Sequence, residues 1–102
     1  MSPAFNKVVT VLARSEGVEP PNPEGRGFGS CALKVRGKIF AMEVRGALVV
    51  KLPKARVESL VADGTGSYFD PGHGRLMKQW VSVEPDAAPW LSLAKEAYAF
   101  VR

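Results

Sequence analysis

One cysteine and one histidine occur in 102 residues. Cys31 has no partner for an internal disulfide, which excludes the small secreted scaffolds that depend on such bridges. One His and one Cys also fall short of a zinc site, so no metal or other cofactor is expected. Long apolar runs are missing. None approaches the roughly 20 residues that cross a bilayer, so no membrane partner is expected. The opening Met1-Ser2-Pro3-Ala4-Phe5-Asn6-Lys7 has no basic segment leading into an apolar core, and is not read as a signal peptide. Together these features point to a cytoplasmic, reducing compartment. No internal repeat or heptad seam is present, nor any helix-turn-helix, zinc-finger, RNP or P-loop signature.

What is present suffices for one folded domain over residues 1–102. Hydrophobic residues make up 46% of the chain, and chains above roughly 60 residues commonly build one core without staples. Net charge is +4, from fourteen Lys and Arg against ten Asp and Glu. That excess admits a polyanion partner through counterion release. It equally fits a solvated basic surface, the commoner case.

Apolar spacing gives the element order. Ser2-Pro3 is a helix start, with Ser as N-cap and Pro at the first helical position. Phe5, Val8, Val9 and Leu12 then recur at helical spacing, and a helix is predicted over about residues 3–15. Residues 17–30 hold three Pro and four Gly and read as a loop. Three strands follow. Cys31, Leu33 and Val35 alternate with Ala32, Lys34 and Arg36. Phe40, Met42 and Val44 alternate with Ile39, Ala41 and Glu43. Leu48, Val50 and Leu52 alternate with Ala47, Val49 and Lys51. Turns at Gly37 and Arg45-Gly46 make these an antiparallel meander, with Lys34, Glu43 and Lys51 in the outward set. A second helix starts at Pro53, buries Val57, Leu60 and Val61, and ends at Asp63-Gly64. A glycine-rich loop over 64–75 carries Tyr68 and Phe69. A fourth strand covers Leu76–Val83, apolar in part on both faces, and is central or meets a second layer. Asp86 is the expected cap of a last helix that buries Trp90, Ala94, Ala97, Tyr98 and Val101. The predicted class is α+β, a meander sheet packed by helices in the order α-β-β-β-α-β-α.

Several pieces of the chain carry a family likeness. They are Ala32-Leu33-Lys34-Val35-Arg36-Gly37-Lys38-Ile39-Phe40-Ala41, Leu48-Val49-Val50-Lys51-Leu52 with its helix, Phe69-Asp70-Pro71-Gly72, the strand with Trp80, and Glu96-Ala97-Tyr98 in the closing helix. The span from Gly29 to Val101 resembles the N-terminal domain of TfoX/Sxy-type proteins and their relatives in the MmcQ/YjbR-like group. The V-x-G-K-x-F-A turn followed by L-x-V-K-L is its most telling part. The resemblance implies an α+β domain with a meander sheet. It also implies a role linked to transcription: TfoX/Sxy proteins are associated with regulation of natural competence, and the YjbR-like group is often described as DNA-binding. The chain closes after one such domain, without the second domain of full-length TfoX, so a binding module is expected rather than a competence regulator.

Candidate sites are weighed against plainer roles. Asp70-Pro71-Gly72-His73-Gly74-Arg75 has the glycines of an anion-binding loop, with Arg75 as a bidentate donor. It leads into a strand rather than a helix N-terminus, and Asp-Pro-Gly is turn chemistry, the preferred reading. His73 as a general base has Asp70 nearby and Cys31 as the one thiol, but Cys31 sits with Leu33 and Val35 on an apolar face. No catalytic residue is assigned, and no enzyme is expected. The binding residues expected are Lys34, Arg36, Lys38, Lys51, His73, Arg75 and Lys78, a basic sheet face with Arg36 and Lys38 at a hairpin tip. Trp80, Tyr68 and Phe69 are candidates to stack on a base, or else fill a core or a dimer surface. The function expected is that of a small binding or regulatory domain, with weak, electrostatic nucleic-acid binding that does not read sequence, or a transcription-linked role. The alternative is a protein-interaction or homodimer module.

Overall fold

The computed structural model of the chain describes residues 3–19, 32–69 and 77–102, with the backbone alone for Met77. Ser2 as a cap, the Pro/Gly-rich stretch from residue 20, Cys31, and the loop with Asp70, His73 and Arg75 lie outside the described residues.

The elements are helix α1 (Pro3–Leu12), strands β1 (Val18–Glu19), β2 (Ala32–Val35), β3 (Lys38–Val44) and β4 (Ala47–Lys51), helix α2 (Lys54–Ala62), strands β5 (Ser67–Phe69) and β6 (Met77–Val83), and helix α3 (Trp90–Val101). The strands form a six-stranded antiparallel sheet in the order β1-β2-β3-β4-β6-β5. This is the predicted α+β order with two short edge strands added. Residues 18–19 and 67–69 fall in stretches whose composition predicts loop. Strands of two and three residues carry no alternation to detect, and they exist because β2 and β6 offer them free edges.

Two two-residue hairpin loops build the meander. Arg36 and Gly37 have φ of 52° and 79°, and Arg45 and Gly46 have 53° and 81°. Positive φ at both central positions matches the right-handed twist of the strands they join. The first loop lies at one end of the sheet, and the second at the opposite end.

All three described helices sit on one face. α3 lies over β3 and β4, α2 over β6, and α1 packs on α3. The core between them takes Phe5, Val8 and Leu12 from α1, Val57 and Leu60 from α2, and Trp90, Leu93, Ala94 and Ala97 from α3, against Leu33, Leu48, Val50, Val81 and Val83 of the sheet. Burying each of the larger side chains contributes about 1.5–3 kcal/mol. Polar contacts fix the layers to one another. The Arg56 guanidinium forks onto Glu96 at 2.9 and 3.2 Å and joins α2 to α3. The Tyr98 hydroxyl donates to the Glu16 carbonyl at 2.6 Å, and its ring meets Phe40 edge-on at 5.7 Å. Trp90 Nε1 donates to the Glu84 carbonyl at 3.2 Å.

Helix ends differ slightly from expectation. α1 stops at Leu12, and the bonds from Arg14 to Val11 and Ser15 to Leu12 tighten into three-residue turns before Gly17 at φ 80°. Asp86 is not the cap of α3. The helix begins after Pro89, because a residue preceding proline is held out of helical geometry, and Ala88 is such a residue.

A bulge in β3 corrects the predicted facing of that strand. Leu33 pairs with Ala41, but Lys34 pairs with Ile39, so Phe40 is an extra residue opposite no partner. Phe40 and Ala41 therefore both join the helix-side core. Ile39, Met42 and Val44 all join a second cluster on the other face, with Ala32, Val49, Phe69 and Trp80. Glu43, expected beside Lys34 and Lys51, pairs instead with Leu48 in the helix-side register.

Candidate functional site

The helix-free face of the sheet carries the residues of interest. Cross-strand partners share a face, so the register fixes who stands with whom. Lys34 is opposite Ile39, and Lys51 is opposite Trp80. Ile39 and Trp80 belong to the second apolar cluster, so both lysines lie on the helix-free face. Ala32, Met42, Val49 and Phe69 at its centre are buried. Lys34, Ile39, Lys51 and Trp80 around them are half-buried.

Strand direction brings the cations to one end. β2 runs into the Arg36–Gly37 turn, β3 leaves from it, β4 returns and finishes at Lys51, and β6 starts there with Met77 and Lys78. Five of the seven predicted residues, Lys34, Arg36, Lys38, Lys51 and Lys78, thus meet at this end of the sheet. They are not equivalent. Arg36 is exposed in the turn. Lys38 pairs with Val35 in the helix-side register, so it flanks the face rather than lying on it. Lys78 is exposed two residues before Trp80. His73 and Arg75 lie outside the described residues. Glu19, on β1 opposite Lys34, is the carboxylate at this end of the face among the described residues. The opposite end carries Arg45 and Glu84 beside a cleft of about 260 Å³ that Phe69 and Ser82 also line.

The Lys51 ammonium stands 6.0 Å from the Trp80 ring centroid. That is the outer limit of a cation–π contact, worth about 0.5–1 kcal/mol at a partly exposed site. Alternation marks both residues as outward but says nothing of register, so the pairing could not be read from the chain. The face can attract anions, and it offers one indole for stacking.

Nothing comparable gathers elsewhere among the described residues. A groove of about 460 Å³ between the start of α1 and the residues before α3 is lined by Pro3, Ala4, Pro85, Ala88 and Leu91, with Lys7 as the one charge among the described lining residues. No cluster of three potential metal ligands occurs among the described residues. No described helix is long and apolar enough to cross a membrane. The shifted ionisations serve the fold. Hydrogen bonding to Glu96 raises the Arg56 pKa further, and hydrogen bonding from Thr65 holds the Asp63 carboxyl below its ordinary range.

The YjbR family model matches residues 6–100 of the chain. No curated protein and no solved structure matches it.

Proposed function

The chain belongs to the YjbR family, and we propose that it is a binding module that holds nucleic acid, without reading its sequence, on the helix-free sheet face beside the Arg36–Gly37 turn. The observation that carries this reading is the placement of Lys34 and Lys51 on one apolar face with Glu43 turned to the other. Lys78, Arg36 and Lys38 add positive charge around the same end. The described helices are committed to the core on the far side, so no helix from this layer enters a groove to read bases. Phosphate contact is what such a face supplies. A cytoplasmic setting belongs to the same proposal, supported by the scarcity of cysteine. So does the finer likeness to TfoX/Sxy N-terminal domains, supported by the Val35-to-Ala41 turn.

Salt dependence tests the proposal. If Lys34, Lys51 and Lys78 each neutralise one phosphate, log K is expected to fall against log salt with a slope of about −2 on single strands, or about −2.7 on duplex. Replacing any one of them by alanine is expected to flatten that slope by about 0.7–0.9. A chain that shows no retention of duplex or single-stranded DNA at low salt sinks the proposal.

Self-association is a second reading, supported by Phe100. This aromatic on α3 is 41% exposed and borders a groove of about 430 Å³ with Leu52, Pro53 and Ala99. A monomer in sedimentation at high concentration counts against it.

A further inference from the structure

We propose that the nucleic acid held on this face is single-stranded, and that Trp80 is the platform on which one of its bases stacks; this rests on the nucleic-acid reading above. Among the described residues, Trp80 is the partly exposed aromatic at the basic end of the face. It is half-buried and packs against the cluster of Ala32, Met42, Val49 and Phe69, so that part of it meets solvent. Phe69 is nearly fully buried and is not available in the same way. A ring anchored in this manner loses little freedom when a flat ligand settles on it.

Charge and aromatic surface here are adjacent rather than merely on one face. Lys51 is the cross-strand partner of Trp80, its ammonium over the ring, and Lys78 is two residues away along β6. Binding of single strands without sequence preference combines these two elements, a cationic track for the backbone and a ring for the bases. The Lys51 contact at 6.0 Å is long and weak. A base arriving on the indole displaces the ammonium, which then meets the neighbouring phosphate. In a duplex the bases are stacked on one another and turned inward, so Trp80 gains nothing unless a base is flipped. Charge alone would bind duplex at least as well, because its charge density is higher. Preference for single strands is therefore the signature of the indole.

The test compares an oligothymidylate, an oligouridylate and a DNA duplex of equal length at low salt, with fluorescence anisotropy for affinity and intrinsic tryptophan emission for stacking. Both single strands are expected to bind about tenfold or more tightly than duplex and to quench emission. Trp80→Leu is expected to weaken single-strand binding about tenfold, to remove the quench, and to weaken duplex binding far less, whereas Trp80→Phe keeps most of the preference. Circular dichroism establishes that each variant is folded. The wild-type quench needs no variant, because the remaining Trp90 is buried with its N–H bonded to Glu84. Equal or tighter binding of duplex, or single-strand binding without a quench, overturns this inference and leaves the charge-based reading standing. No binding to any of the three overturns both.

Discussion

Replacing Gly66 by alanine is expected to destabilise the protein by about 1–2 kcal/mol. A Cβ at this position would lie 2.6 Å from Val81 Cγ2, 3.1 Å from the Ser82 carbonyl oxygen and 3.3 Å from Val83 Cγ2. Carbon atoms are at ease near 3.5–4.0 Å, so the nearest contact is short by roughly 1 Å. None of the three neighbours yields easily. Val81 and Val83 are fully buried β-branched residues with stiff χ1, and the third atom is backbone. Nor can Gly66 retreat. Its N–H is bonded to the Leu60 carbonyl at 3.2 Å, and the next residue pairs with Ser82 in the sheet. Overpacking of this kind costs about 1–3 kcal/mol, and the stiffer unfolded chain returns about 0.4–1 kcal/mol. For a chain of this size the net loss lowers the melting temperature by about 5–10 °C. Thermal melts followed by circular dichroism measure it, and Gly66→Ala combined with Val81→Ala should lose less than the sum of the two. A melting temperature unchanged within about 2 °C would refute the close approach of the α2–β5 connection to β6.

Arg45→Asn is expected to stabilise the protein by about 0.5–1 kcal/mol in urea unfolding, because Arg45 holds φ 53° and asparagine tolerates that region better; a loss of stability would mean that the arginine side chain holds something the turn needs. Tyr98→Phe removes the donor to the Glu16 carbonyl while keeping the ring against Phe40, and is expected to cost about 0.5–1.5 kcal/mol with an unchanged m-value. Asp63 accepts the Thr65 N–H at 2.9 Å, and hydrogen bonds from Thr65 depress its pKa. Its contribution is therefore complete above the unfolded value of about 3.9 and is lost as pH falls through the lower folded value. Asp63→Asn is expected to lower the melting temperature slightly at neutral pH, where the carboxylate contributes in full, and to make little difference once pH falls below the folded value, so that the pH dependence below about 4 flattens.

The helices were legible because their stripes are unambiguous. Phe5, Val8 and Leu12 are buried where spacing placed them, as are Val57 with Leu60 and Trp90 with Ala94 and Ala97. The hairpins were legible because Gly37 and Gly46 punctuate alternating runs. What escaped was whatever needs a partner strand to exist. β1 and β5 are too short to show a period, and Asp86 has a capping side chain at a position that Pro89 overrules. In the candidate site, alternation and register agree in putting Lys34 and Lys51 on one face, and the convergence of Arg36, Lys38 and Lys78 follows from strand direction. The contact of Lys51 with Trp80 was hidden, since it joins residues 29 positions apart through a register the chain does not spell out.

The β3 bulge is the least visible of these features, and it decides which face carries Glu43. Ile39, Phe40, Ala41 and Met42 are all apolar, so a one-residue offset within that run puts no polar group in a wrong place. Its effect is felt only beyond it, at Glu43. With strict alternation from Lys38 to Val44, Glu43 would share a face with Ile39, Lys34 and Lys51, at the Arg45–Gly46 end of that face. The extra residue at Phe40 reverses that parity. Ile39 keeps its place opposite Lys34, Phe40 fills the helix-side core, and Glu43 goes to the side of Leu48. The charge at the Arg45–Gly46 end of the open face is thus set by backbone register rather than by composition.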